Sequence, residues 1–494
     1  MRALACLLVV TGACASPTEP TVTSRPNLVV FLVDDLGWQD TSVSFGGPRT
    51  AQNAHFRTPS LERLCAEGTR FSQAYSHCVC SPTRVSMMTG ATAARHRVTN
   101  WTLHRDRATD AAQDTLVLPG WNVNGIGPDP ATPRSFHAET LAQRLRTAGY
   151  RTIHVGKAHL GAQGTPGADP CNLGFDVNVA GHAAGAPASY QGMDGYASKG
   201  GDPVWDVPGL DAYHGTDTFL SDALTTEALR AVDDSLAQGK PFFLHLSHYA
   251  VHTPLQPDAR FVEGYRAMGL DEKEARYAAM VAGMDHSLGR LLGFLDARGL
   301  TGNTVVVFTS DNGGLSATAR GGTPHVHNAP LRSGKGSAYE GGTRVPLAVR
   351  WPGRAKPGNL TDQPVVAEDL FATLCEAAGA PTTCPDGRSW LPVLAGQPLP
   401  PRDLFWHYPN HWGSKGPGIG AHSALRSGDS KLVWFHASGR FELYDLARDP
   451  GEQHDLAATE PERVEAMRAR MRERLAETGA QLPTRKDGKA LTLP

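Results

Sequence analysis

Four short, nearly unbroken apolar stretches punctuate the chain: Asn27 to Val33 (NLVVFLV), Thr152 to Val155, Pro241 to Leu246 (PFFLHL) and Thr304 to Thr309 (TVVVFT). Runs of this length, rich in β-branched and aromatic residues and without polar alternation, suit strands buried on both faces of a parallel sheet. Between them the apolar spacing changes. Ser135 to Ala148 places Leu141 and Leu145 four apart, and Thr218 to Leu236 and Ala278 to Ala297 carry similar spacing, which predicts helices. Strand, helix and strand in alternation predict an α/β core with a mainly parallel sheet between helix layers. After Ala380 the pattern shifts. Pro-rich connections lead into Ser430 to His436 (SKLVWFH) and Arg440 to Tyr444 (RFELY), a predicted hairpin. From Glu462 to Thr478, Val464, Met467, Met471 and Leu475 share one helix face, with Arg and Glu opposite. The expected organisation is a large α/β domain at 27–380 and a smaller α+β domain at 381–494.

Composition narrows the function. Among 494 residues, 47 Lys+Arg stand against 49 Asp+Glu, so no broad basic surface awaits nucleic acid. Hydrophobic residues at 40% and charged residues at 19% fit a large globular core, and 53 glycines with 36 prolines exclude a helical bundle. Residues 1–15 read as an export leader: Met1-Arg2, an apolar Ala3 to Val10, and Ala13-Cys14-Ala15 as a cleavage site. Thr11 to Cys14 also reads as a lipoprotein box with a lipid anchor on Cys14, and 16–26 as a linker. The expected location is periplasmic, extracellular or, as a lipoprotein, the outer membrane. Past the leader the longest apolar run is Leu28 to Val33, far short of the roughly 18 to 20 residues a transmembrane helix needs. Six body cysteines are too few for a disulfide scaffold, although Cys375 and Cys384 flank a short Gly/Pro-containing loop and are candidates to pair.

Two of the apolar strands run into oxygen ligands, Asp34-Asp35 and Asp311-Asn312. Ligands in open α/β sheets bind beyond the carboxyl ends of strands, so the two pairs can converge. Three carboxylates and an amide oxygen suit Ca²⁺ or Mg²⁺ better than zinc. Each pair alone also reads as an ordinary turn or cap. Within Cys80-Ser81-Pro82-Thr83-Arg84, Pro82 at a first helical position puts Cys80 at the N-terminus of a helix, where free N–H groups favour an anion. Arg84 lies one turn along on the same side. Alone, the motif fits a buried cysteine before a helix equally well. A cysteine phosphatase needs a longer Cys-to-Arg loop, and Cys78-Val79-Cys80 lacks redox C-x-x-C spacing.

With VDDLGWQD at 33 to 40, CSPTRVSMMTG at 80 to 90, GKAHLG at 156 to 161, HYAVHTP at 248 to 254, TSDNGG at 309 to 314 and LRSGKGSAYEGGTRVP at 331 to 346, the chain resembles the type I sulfatases of the alkaline phosphatase superfamily. The likeness covers nearly the whole mature chain. It implies an alkaline-phosphatase-like fold, with a mixed, mainly parallel sheet sandwiched by helices and a C-terminal antiparallel sheet with a terminal helix. It also implies that a maturation enzyme converts Cys80 to formylglycine, whose hydrated aldehyde supplies the nucleophilic oxygen. Asp34, Asp35, Asp311 and Asn312, with residue 80, then match the ligands of a metal, usually Ca²⁺. Arg84 and Lys157 match residues that hold the formylglycine and metal side. His159 matches the histidine that assists sulfate elimination, and His252 and Lys335 match the pair that grips the ester and helps the leaving group depart. Ala158 departs from the pattern, since relatives commonly carry an aromatic residue there.

The chemistry independently calls for such a set: attack at sulfur needs a nucleophile, cations around the nonbridging oxygens and an acid behind the bridging oxygen. The leaving alcohol is written less clearly. Trp101, His104, Arg105 and Arg107 follow the Cys80 helix, and His182, Trp406, His407, His411 and Trp412 lie in Gly/Pro-rich loops; all are types that stack on sugars or bind anionic groups. Trp101, His104, Arg105, His182 and His411 are the substrate-contact candidates, and the expected substrate is a sulfated saccharide. Two other readings stay open: a phosphonate monoester or phosphodiester hydrolase of the same superfamily, and a surface glycan-binding protein with a dead site.

Overall fold

A computed structural model describes residues 25–316, 320–489, 491 and 493; the leader and Cys14 lie outside the described residues. Nine strands form the central sheet. From one edge the order is Asn359–Thr361, Thr69–Tyr75, Arg344–Arg350, Thr304–Ser310, Asn27–Val33, Phe242–Ser247, Arg151–Gly156 and Val177–Val179, with Val365–Val366 also pairing Thr69–Tyr75. Only Arg344–Arg350 runs antiparallel to its neighbours. The unbroken apolar run at Asn27–Val33 has a direct explanation. Val29, Phe31 and Val33 enter a core shared with the helices Leu220–Ala237 and Glu272–Ala297, while Leu28, Val30 and Leu32 enter a second core shared with Cys80–Thr89, Leu141–Thr147 and Asp369–Ala377.

The four predicted strands are present within a residue or so of the expected limits. The predicted helix at 135–148 is shorter, Leu141–Thr147, and Phe136–His137 pairs instead with Ile126–Gly127. Its start is set by a reciprocal cap: Thr140 Oγ1 accepts from Gln143 N at 3.1 Å while Gln143 Oε1 accepts from Thr140 N at 2.8 Å. The helix expected from Ala278 begins earlier, at Glu272, because the Asp271 side chain accepts from Lys273 N and Glu274 N. The helix Cys80–Thr89 begins at Cys80 itself, so Pro82 is its third residue and not its first, and Cys80 is at the N-terminus as expected.

In the C-terminal region Leu404–Tyr408, His422–Ser427, Ser430–Phe435 and Arg440–Asp445 form a four-stranded antiparallel sheet, the last two being the predicted hairpin. One face packs Leu425, Leu432 and Trp434 against Met467, Met471 and Leu475 of the helix Pro461–Thr478. The other packs Trp406, Ala424 and Val433 against Tyr75 and Ala338 of the main sheet region. Cys375 and Cys384 are both free thiols. None of the described helices is long and apolar enough to cross a membrane.

Candidate active site

The adjacent parallel strands Asn27–Val33 and Thr304–Ser310 end in register, Val33 opposite Ser310, so the residues that follow emerge side by side. Asp34, Asp35, Asp311 and Asn312 are completely buried there. Asp35 takes a left-handed backbone (φ 60°), its N–H donating to Asp311 Oδ1 at 3.3 Å. Behind this turn Tyr277 Oη donates to Asp40 Oδ2 at 2.7 Å, and Arg320 joins Asp40 Oδ1 at 2.9 Å to Glu274. Cys80 arrives at the N-terminus of its helix, and its sulfur and carboxylate oxygens of Asp34 and Asp311 all lie within 4.8 Å of one another.

Cations surround these oxygens. Lys157 Nζ reaches Asp34 Oδ2 at 2.6 Å, Arg84 Nε donates to Asp311 Oδ2 at 2.8 Å, and Lys335 Nζ reaches Asp35 Oδ1 at 2.6 Å. Arg84 is fixed further by Lys157 O at 2.8 Å and Ser247 Oγ at 2.7 Å. Gly156 permits this approach, since a Cβ there would stand 2.0 Å from Ser247 O and its φ is +97°. Even so, Asp34 Oδ1, Asp35 Oδ2 and Asn312 Oδ1 are buried without a hydrogen-bond partner. Orphaned buried oxygens are costly, and three of them at the ends of two adjacent strands suit a hard divalent cation.

The field separates the carboxyls. Burial, reinforced by Asp311, holds Asp34 well above the usual carboxylate range despite Lys157. Burial also opposes ionisation of Asp35, but Lys335, His252 and Lys157 outweigh it and hold that carboxyl below the range. Burial pushes the Cys80 thiol up, so little thiolate forms at neutral pH. His159 is held well below the usual imidazole range by burial and by Lys157 and Arg84, and is neutral. Its Nε2–H donates to Thr102 O at 2.8 Å, leaving Nδ1 as a buried, unpartnered acceptor. His252 donates from Nδ1 to Thr253 O at 2.9 Å, which turns Nε2 towards Asp35 Oδ2 at 3.6 Å.

These groups floor a cavity of about 680 Å³ lined by Asp35, Cys80, His159, His252 and Lys335 at its base. Of the substrate-contact candidates, Trp101 lines the wall. The other four stand outside the lining, for reasons of side-chain direction. His104 turns to Gln163 Oε1 at 3.1 Å, Arg105 to Asp106 at 3.6 Å, and His411 to Ala111 O at 3.2 Å, while the His182 ring packs on Tyr249. Trp412 joins the wall, whereas Trp406 and His407 are structural, bonded to Ser76 O and to Ser423 and Gln481. Ala158 is buried outside the lining.

Several contributors were not singled out in the sequence. Ser247 directly follows the predicted strand Pro241 to Leu246, so the strand-end rule that found the aspartates could have found it. Thr102, which orients His159, carries its role in a backbone carbonyl that no residue type betrays. Gly185 lies against the His159 ring, and Tyr190 Oη lies 2.7 Å from Tyr249 O and 2.8 Å from His252 O, bracing the His252 loop.

The chain is similar to known sulfatases. A family model described as sulfatase matches residues 26–380, and one for the C-terminal region of N-sulphoglucosamine sulphohydrolase matches 334–481. A sulfatase of Formosa agariphila is 30% identical, with 92% of this chain and 88% of that protein covered. N-acetylgalactosamine-6-sulfatase of Mus musculus is 30% identical, covering 90% and 84%. Among solved structures, Ps i-CgsB superposes with a TM-score of 0.73 at 25% identity, covering 92% of this chain and 94% of that one.

Proposed function

The chain belongs to the sulfatase family and is a sulfuric ester hydrolase, and we propose that it hydrolyses O-sulfate monoesters on a saccharide using a formylglycine made from Cys80 and a divalent cation, Ca²⁺ or Mg²⁺. One observation carries this reading: Cys80 at a helix N-terminus lies within 4.8 Å of carboxylate oxygens of Asp34 and Asp311, and it opens onto the cavity together with Asp35, whose Oδ2 is one of three unpartnered buried oxygens here, and Lys335. Asp34, Asp35, Asp311 and Asn312, with residue 80, would hold the cation, which when bound supplies positive charge to the sulfate oxygens. The hydrated aldehyde would supply the attacking oxygen that a protonated, buried thiol does not.

The chain's own residues do the rest. Arg84 and Lys157 fix the carboxylates before substrate arrives, so little reorganisation accompanies the reaction. Lys335 Nζ faces the ester, where its charge balances that growing on sulfate and on the departing oxygen, while His252, pushed down to about 4 by burial and by Lys335, stands beside it as a neutral ring whose Nε2 accepts a hydrogen bond. His159 Nδ1 is the vacant base that takes a proton from residue 80 as sulfate leaves, its tautomer set by Thr102 O. A saccharide substrate is supported by the cavity volume and by the relatives, among them the N-acetylgalactosamine-6-sulfatase and a complex of Ps i-CgsB with k-i-k-neocarrahexaose. The leader supports export, and the formylglycine requires a maturation enzyme as partner.

The test is release of inorganic sulfate from sulfated saccharides by protein co-produced with a maturation enzyme, before and after chelation and Ca²⁺ restoration, beside a phosphonate monoester and a phosphodiester. Sulfate release that chelation abolishes and Ca²⁺ restores is the expected result. Higher kcat/KM on the phosphorus esters, or turnover indifferent to chelation, contradicts it.

A further inference from the structure

Beyond the sulfate end, the cavity changes character. Its walls carry three half-buried tryptophans, Trp101, Trp205 and Trp412, with Pro254 and Leu315. Trp101 and Trp205 belong to one apolar cluster with Leu103, Ala184 and Val204. Trp412 belongs to another, with Cys78, Val79 and Tyr408, and rests on Gly336 beside Lys335. Aromatic surface is therefore offered from two independently supported parts of the fold, the arrangement that grips the apolar faces of a ring while leaving its hydroxyls to water.

The charges are equally specific. Among the described residues the lining holds no Arg and no Lys other than Lys335, and its one ionisable side chain away from the sulfate end is Asp202. Asp202 is held in place because its Oδ1 accepts from Val204 N at 3.0 Å, and the side chain is about half exposed at the cavity. Two exposed basic residues close in sequence to the lining have acidic neighbours of their own: Arg105 stands 3.6 Å from Asp106 and Lys199 3.8 Å from Asp194. The nearest counter-group to Asp202 is His104, whose Nε2 lies 4.0 Å from Oδ2. A second anionic group on the substrate would lose water without gaining a cation and would meet a carboxylate of like sign.

We propose, resting on the saccharide-sulfatase reading above, that the ring bearing the scissile ester is otherwise uncharged: a singly sulfated neutral hexose or N-acetylhexosamine, not a uronate or a multiply sulfated ring. The tryptophans supply affinity for the ring, and Asp202 rejects additional anions. Asp202 and Trp205 are specificity residues that touch the leaving sugar and take no part in bond breaking.

The experiment measures kcat/KM for sulfate release from p-nitrophenyl sulfate, a singly sulfated N-acetylhexosamine, the same sugar with a second sulfate, and a sulfated uronic acid. Conversion of residue 80 is verified by mass first. The expected result is at least a roughly tenfold preference for the singly charged sugar, of the size that one unpaired charge commands. Asp202→Asn should narrow that ratio, and Trp205→Ala should raise KM for the sugar more than it lowers kcat. Equal or better turnover of the doubly charged sugars, or an Asp202→Asn ratio unchanged from the parent, overturns the proposal while leaving the sulfatase reading intact. No release from any of the four substrates, p-nitrophenyl sulfate included, overturns the sulfatase reading and this proposal with it.

Discussion

His159 is clamped between two contacts that leave its ring one position. Thr102 O holds Nε2 at 2.8 Å, and on the ring face a Cβ at Gly185 would stand 2.4 Å from Cε1 and 2.7 Å from Nδ1. Gly185→Ala must therefore displace the ring or the loop, and a displacement near 1 Å at a reacting group costs about a hundredfold in rate. Steady-state kinetics should show that loss in kcat, with thermal unfolding nearly unchanged. His159→Ala should lower kcat by about 10² to 10⁴, the usual contribution of a general base. Asp34, Asp35, Asp311 and Asn312 stood out in the sequence as oxygen-bearing pairs at strand ends, whereas His159, His252 and Lys335 stood out only through the resemblance, since each alone reads as an ordinary surface or core residue. The leaving-group contacts were less legible. His104, Arg105, His182 and His411 have suitable types but point elsewhere, and side-chain direction is set by partners such as Gln163 and Ala111 that lie far away in the sequence.

The segment that carries Lys335 is anchored to the C-terminal sheet by a buried charge cluster. Lys431 Nζ stands 2.9 Å from both Glu340 and Glu452, and Glu340 N donates to Glu452 Oε2 at 2.6 Å. Removing the cation shared by two fully buried carboxylates typically costs about 3–5 kcal/mol, so Lys431→Met should lower the urea midpoint accordingly. The cluster also gives a pH dependence. Burial, with Glu340 adding to it, pushes Glu452 up to about 7, above its ordinary 4.5. The folded state thus binds that proton more tightly than the unfolded chain. The resulting stability is full below 4.5 and is lost as pH rises through about 7. Unfolding midpoints from pH 5 to 8 should fall more steeply for the parent than for Glu452→Gln. At this scale the doubly buried strands were legible and two others were not. Thr69–Tyr75 mixes polar and apolar residues because Arg70 reaches out to the Ser44 carbonyl and Gln73 accepts from Arg426 of the C-terminal sheet, and Arg344–Arg350 contains Pro346, tolerated because the register shifts there and no N–H is needed.

Over the whole molecule, the sheet brings the candidate ligand oxygens of Asp34 and Asp311 together, and the C-terminal region adds Trp412 to the cavity wall and holds the segment of Lys335 through the Lys431 contact to Glu340. The α/β core followed by a smaller antiparallel unit was legible from the change in apolar period, but the way the two cooperate was not, because it rests on contacts as distant as Trp406 with Tyr75. A cation that binds only the folded state adds about 2.7 kcal/mol at a hundred times its dissociation constant. Ca²⁺ should therefore raise the unfolding temperature, and Asn312→Ala should reduce that increment. The central claim is that catalysis resides in a converted Cys80. Mass spectrometry of the peptide containing residue 80, from protein made with graded amounts of maturation enzyme, gives the aldehyde fraction to set against sulfate release from the same samples. The account predicts a straight line through the origin; full activity with residue 80 still a thiol, or none with the aldehyde fully formed and Ca²⁺ present, would contradict it.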